Sequence, residues 1–135
     1  FRTMINNAEK KGAVFSSTND SRVTPFGKFM RKSRIDEFPQ FVNILRGEMA
    51  VIGPRPERPF FVKEIAEIMP FYETRHIIKP GLTGWAQVNY SYGESIEDSL
   101  IKLQYDLYYI KHRSIFLDLN ITIKTLSTVL FYRGQ

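Results

Sequence analysis

The stretch RVTPFGKFMRKSRIDEFPQFVNILRGEMAVIGPRPE, residues 22–57, decides how this chain folds. Thr24-Pro25 reads as a helix start, a capping oxygen followed by proline at the first helical position. The helix carries Phe26, Phe29 and Met30 on one side, with Lys28, Arg31 and Lys32 elsewhere. Ser33 to Asp36 interrupts it, and a second helix is expected from about Asp36 to Arg46. There Phe38, Phe41, Val42 and Leu45 recur at helical spacing. Pro39 is tolerated in its first turn, and Gly47 ends it. Met49 to Ile52 reads as a short buried strand. Three prolines between Gly53 and Pro59 forbid a regular helix, so that segment is a stiff extended loop.

Outward from this centre, residues 1–4 resemble the end of a strand, and a polar helix is expected from Ile5 to Lys11, stopped by Gly12. Residues 13–23 are rich in Ser, Thr, Asn and Asp and read as loop. Phe60 to Met69 reads as helix, with a shorter helix from Pro70 to Arg75-His76. Pro80-Gly-Leu-Thr-Gly84 carries turn chemistry. Trp85 to Tyr90 alternates like a strand. Ser95 opens a helix to about Lys111, with Glu97 and Asp98 in its favourable first turn. The last helix, from about Ser114, aligns Ile115, Leu119, Ile123, Leu126 and Leu130. The expected fold is therefore α+β, a small and mostly helical domain with a few short strands or a β-hairpin, and amphipathic membrane-surface helices.

The 135 residues suit one domain with its own core. The absence of Cys excludes disulfides, thiolate metal sites and cysteine nucleophiles. A net charge of +5 points to an acidic partner: nucleic acid, anionic lipid or a phosphorylated substrate.

Charge is unevenly spread. Arg22, Lys28, Arg31, Lys32 and Arg34 form a run without an acid that ends at Asp36-Glu37. Cations and a helix N-terminus favour an ionised carboxylate, which can attack phosphorus or ligate a metal. Ordinary capping charges would give the same pattern. In Gly53-Pro54-Arg55-Pro56 the prolines hold one guanidinium on a rigid loop, and guanidinium is a planar clamp for phosphate. A solvated arginine on a proline-rich connector is the plainer reading, and Arg58 fits either. Asp106 lies among large apolar residues and, if buried, needs a partner: a tyrosine, an arginine or a cation. His76 and His112 lack metal spacing. The terminal stripe suits a core helix or one lying in a headgroup layer. A basic nucleic-acid-binding helical module is the alternative reading, with the helix pair 24–46 as a helix-turn-helix. Its second helix offers few base-reading side chains.

Four segments carry a family resemblance: FRTM (1–4), the stretch 22–57, RHIIKPGLTGWAQVNY (75–90) and KLQYDLYYIKHRSIFLDL (102–119). Together, and in this order, they resemble the bacterial sugar transferases, the monotopic phosphoglycosyl transferases that begin exopolysaccharide, capsule and O-antigen assembly. The wording through GPRPERPFFV and NYSYGESIEDSL is similar to exopolysaccharide-type members. The resemblance implies transfer of a sugar phosphate from a UDP-sugar to polyprenyl (undecaprenyl) phosphate. It further implies a covalent aspartyl intermediate, release of UMP and Mg²⁺ as cofactor. Carried over, Asp36 is the nucleophile and a metal ligand, and Glu37 its dyad partner. Arg55, Arg31 and Arg2 match phosphate-facing positions, Arg2 standing where some members have lysine. Asp106 matches a further acidic, metal-holding position, and Gln87 lies near the nucleotide. The expected partners are a UDP-sugar, polyprenyl phosphate and a membrane surface, not nucleic acid. The expected location is the cytoplasmic face of the bacterial inner membrane. The family's apolar N-terminal segment has no counterpart here, so residues 1–135 are expected to be a single catalytic domain lacking its membrane segment. Apolar surface left exposed by that loss would favour homo-oligomers.

Overall fold

Helix α1 (Pro25–Lys32) begins where its cap demands: Thr24 Oγ1 accepts from the Gly27 amide at 2.9 Å, and proline occupies the first turn. The computed structural model describes residues 3–6, 8, 20–90 and 95–130. Arg2, most of the expected polar helix 5–11, its stop at Gly12 and most of the loop 13–23 fall outside them. Thr3 and Met4 of the FRTM segment lie beside α1. Met4 bridges Val23 in antiparallel sense, and Thr24 N–H donates to the Thr3 carbonyl.

The expected second helix is split. A 3₁₀ turn covers Ile35–Glu37, and helix α2 (Pro39–Leu45) follows. Gly47, at φ +75°, closes this region as the sequence suggests. Strand β1 (Ala50–Ile52) follows, then the proline loop, helix α3 (Pro59–Ile68) and a 3₁₀ helix over Tyr72–Ile77. Strand β2 (Gly81–Thr83) pairs with β1 in parallel, Ala50 opposite Gly81 and Ile52 opposite Thr83. The two strands therefore form a β-α-β crossover and not a hairpin.

Two local expectations are corrected here. The segment 80–84 is strand where turn chemistry was read, and Trp85–Asn89 is a short helix, α4, where alternation suggested a strand. Among the described residues only Gly47 among the glycines has positive φ. Gly81 and Gly84 serve close approach instead. A Cβ on Gly81 would sit 2.1 Å from the Gly53 nitrogen, and one on Gly84 2.2 Å from the Gly53 oxygen. These three glycines let the start of the proline loop press onto β2, with Gly53 N–H donating to Thr83 O and Gly81 N–H to Pro54 O, both at 2.9 Å. The clashing atoms are backbone and cannot rotate away. Gly81→Ala is therefore expected to destabilise by at least about 1–3 kcal/mol, seen as a lowered melting temperature.

Helix α5 (Ile96–His112) starts with a reciprocal capping box between Ser95 and Asp98. Hydrogen bonds from the Tyr90 hydroxyl and then from Ser95 hold the Asp98 carboxyl down at about 2. Helix α6 (Ile115–Leu130) packs across α4 and β2. Thr125 meets Thr83 at 2.7 Å, and Lys124 lies 4.8 Å over the Trp85 ring while donating to Asn89 Oδ1. The main core joins Phe61, Ile65 and Met69 of the α3 region to Tyr72 and Leu103.

Much apolar surface stays outside. Phe26 and Phe29 on α1 are exposed, as are Phe41, Val42 and Leu45 on α2, the last 88% accessible. On α6 the stripe Ile115, Leu119, Ile123 and Leu126 faces outward, while Ile121 on the other side is fully buried. Of the tyrosines on α5, Tyr109 is buried but Tyr108 is half exposed. No helix among the described residues is long and apolar enough to cross a membrane.

Candidate active site

The site begins with a backbone irregularity. Ser33 turns its hydroxyl back onto the carbonyls of Phe29 and Met30, ending α1. Arg34 then adopts the left-handed conformation, φ 57° and ψ 15°. A non-glycine residue there costs about 1–2 kcal/mol. The reversal swings the chain into the Ile35–Glu37 turn, so Asp36 and Glu37 sit on a tight elbow between two helices, not inside a longer helix. One carboxylate oxygen of Asp36 is withdrawn from solvent.

Glu37 stands between two guanidiniums. Arg34 Nη1 lies 3.4 Å and Arg55 Nη2 3.5 Å from the same oxygen, Glu37 Oε1. The structure thus brings the proline loop to the acidic elbow, with Arg55 and Glu37 18 residues apart in sequence. Arg55 keeps 43% of its side chain accessible, so its fork remains open to an anionic ligand.

Behind the loop lies a residue that sequence reading did not single out. Arg75 is 4% accessible and bonds in three directions. Its Nε donates to Asp106 Oδ2 at 3.0 Å, Nη1 to the Tyr72 hydroxyl at 2.8 Å, and Nη2 to the Arg55 carbonyl at 2.9 Å. Nη2 also lies 2.8 Å from Asp106 Oδ2. Burial raises the Asp106 carboxyl above the ordinary carboxylate range, and Arg75 opposes that rise. The sequence signal existed, since a buried Asp106 required a partner. It did not say which arginine would answer.

Other sequence candidates have their own partners. Arg31 donates to Thr3 Oγ1 at 3.0 Å, tying α1 to the segment that precedes it. Arg2 lies outside the described residues. Gln87 is on α4 rather than a strand. Its amide nitrogen donates to Leu82 O at 3.3 Å, and its buried Oε1 has no hydrogen-bond partner among the described residues. Arg58 lies over the Phe61 ring at 5.7 Å. Among the described residues no three His, Cys, Asp or Glu side chains cluster as a metal cage.

Residues 1–132 match the model of the family described as bacterial sugar transferase. The chain is 50% identical over 130 residues to the Aeromonas hydrophila UDP-N-acetylgalactosamine-undecaprenyl-phosphate N-acetylgalactosaminephosphotransferase, covering 96% of this chain and 31% of that protein. It is 41% identical over 133 residues to a Xanthomonas campestris pv. campestris UDP-glucose:undecaprenyl-phosphate glucose-1-phosphate transferase, covering 96% of this chain and 28% of the relative. The Escherichia coli (strain K12) protein of the same name is 38% identical over 127 residues, with 93% and 27% covered. The chain therefore spans less than a third of the length of each of these relatives.

Proposed function

Because the chain belongs to the bacterial sugar transferase family, we propose that it is the catalytic part of an enzyme that moves a sugar phosphate from a UDP-sugar to polyprenyl phosphate. The observation that carries this reading is the acidic elbow faced by two guanidiniums, Arg34 and Arg55. In the first step a carboxylate oxygen of Asp36 attacks the β-phosphorus of the donor. The bond from that phosphorus to the bridging oxygen breaks, and the oxygen leaves with UMP. The phosphosugar is then held on Asp36 as an acyl phosphate. In the second step a phosphate oxygen of the polyprenyl carrier attacks the same phosphorus, freeing the Asp36 carboxylate and forming the lipid diphosphate sugar. Covalent catalysis divides one transfer between two bulky anions into two displacements. In the cell this reaction is the first membrane step of exopolysaccharide or related glycan assembly.

Each residue has a physical task. Arg55 clamps donor phosphate, and Glu37 keeps its guanidinium beside the nucleophile between turnovers. Arg31 and Arg2 add positive charge from α1 and the FRTM segment. Gln87, whose Oε1 retains an unused acceptor, supports the nucleotide end.

Asp36, with one carboxylate oxygen withdrawn from solvent, also fits Mg²⁺. That ion favours hard oxygen donors and is commonly bound by one or two carboxylates together with substrate phosphates, not by an all-protein cage. We place it at Asp36 and not at Asp106, whose carboxylate is compensated by Arg75. Bound there, Mg²⁺ would neutralise the negative charge of the donor phosphates.

The outward stripe of α6 and the exposed phenylalanines of α1 and α2 support docking on a membrane surface, where the lipid carrier resides. The same exposure disfavours the nucleic-acid reading, because α2 would present Phe41, Val42 and Leu45 to base edges. Ile123→Asp on the α6 stripe should weaken binding of the 135-residue chain to anionic vesicles about tenfold, the loss of one buried aliphatic side chain. Co-sedimentation reads it, and unchanged binding would detach α6 from the membrane.

The test of the reaction is UMP release by the full-length protein from a panel of UDP-sugars with Mg²⁺ and undecaprenyl phosphate. Release that depends on both substrates supports the reading. Silence across the panel sinks it.

A further inference from the structure

Arg75 and Asp106 form a buried ion pair, their side chains 4% and 2% accessible. Apolar residues of similar volume often replace such a pair without loss of stability, so stability alone does not account for it. What an apolar pair could not supply is the bond from Arg75 Nη2 to the Arg55 carbonyl. The loop around Arg55 has few ways to fix itself, because Pro54, Pro56 and Pro59 carry no amide hydrogen. Its first end is pinned to β2 through Gly53 and Pro54. The Arg75 bond pins the next residue, and from that residue the Arg55 side chain leaves for Glu37. Arg55 itself leaves 43% of its side chain to solvent, so packing alone does not aim it.

We infer that Arg75, braced by Asp106, is a positioning residue: its hold on the Arg55 carbonyl aims the Arg55 guanidinium at the Asp36-Glu37 elbow. The inference rests on the proposed transfer, in which Arg55 clamps the donor phosphates. A positioning role differs from a purely structural one in a measurable way, since it disappears once Arg55 is gone.

The experiment exchanges the pair for apolar residues in the full-length protein, Arg75→Met with Asp106→Leu, adding Tyr72→Phe so that no buried hydroxyl loses its donor. UMP release, UDP affinity by calorimetry and melting temperature are read with and without Arg55→Ala. The expected protein stays folded, binds UDP more weakly and loses about a hundredfold in kcat/KM for the UDP-sugar, the scale of a misplacement near 1 Å. In the Arg55→Ala background the same exchange should cost nothing more in either readout. Full kcat/KM in the folded exchange, or an undiminished further loss on top of Arg55→Ala, would overturn the inference. If the exchange does not fold, Arg75→Lys enters the same cycle. It keeps the charge opposite Asp106 but lacks the fork that reaches three acceptors, and the same two outcomes decide. An inactive parent protein refutes the proposed transfer, whereas the UDP titrations still report whether Arg75 acts through Arg55.

Discussion

Asp36→Asn in the full-length protein removes UMP release by at least about 10³-fold, the scale on which loss of a covalent nucleophile acts. Asparagine keeps the size of the side chain and one acceptor oxygen, and the elbow around it is set by the backbone: the left-handed Arg34 and the 3₁₀ turn that follows. The fold should therefore survive, with a melting temperature close to that of the parent protein. What asparagine lacks is an anionic oxygen able to form and then release an acyl phosphate. A direct transfer from donor to lipid phosphate would need no such group. In that case Asp36 would contribute only charge and metal affinity, and extra Mg²⁺ would recover much of the rate.

Asp106→Ala should be the most damaging single change to stability. It leaves the Arg75 guanidinium buried without its carboxylate. Removing one member of a buried ion pair costs about 3–5 kcal/mol, a large share of the 5–15 kcal/mol that holds a typical domain together. Thermal unfolding of the full-length protein should show a marked fall in melting temperature. Asp106→Asn should fall less, since it can still accept from Arg75. Equal melting temperatures for the parent and Asp106→Ala would mean that the pair carries no net stabilisation and that solvent reaches Arg75 easily.

The candidate motifs were more legible in the sequence than the contacts that support them. Asp36-Glu37 and Gly53-Pro54-Arg55-Pro56 are contiguous motifs, so their residue types and stiffness can be read locally. Caps were legible for the same reason: Thr24-Pro25, Gly47 and Ser95 each act within one turn of chain. Segment 80–90 was misread because two signals are ambiguous at short range. Glycines mark close backbone approach as well as turns, and here the neighbour, Gly53, is 28 residues before Gly81 in the parallel pairing. Six alternating residues fit one helical turn as well as a strand, and the backbone bonds from Val88 N–H to the Gly84 carbonyl and from Tyr90 N–H to the Ala86 carbonyl make this segment a helix. Arg75 was out of reach because two of its three partners, Arg55 and Asp106, are 20 and 31 residues away. Nor could pattern alone say which side of an amphipathic helix meets protein. In α6 the regular aliphatic stripe faces outward, and the inner face is built from Ile121, Lys124 and Thr125.

The central claim is that Asp36 carries the phosphosugar between donor and acceptor. The most direct measurement incubates the full-length protein with its UDP-sugar and Mg²⁺ but no polyprenyl phosphate, quenches in acid and maps the adduct by peptide mass spectrometry. The account predicts a hexose- or N-acetylhexosamine-phosphate mass on the peptide containing Asp36, absent in Asp36→Asn and discharged when the lipid phosphate is added. An unmodified Asp36 peptide from protein that turns over fully once the lipid is supplied would contradict it.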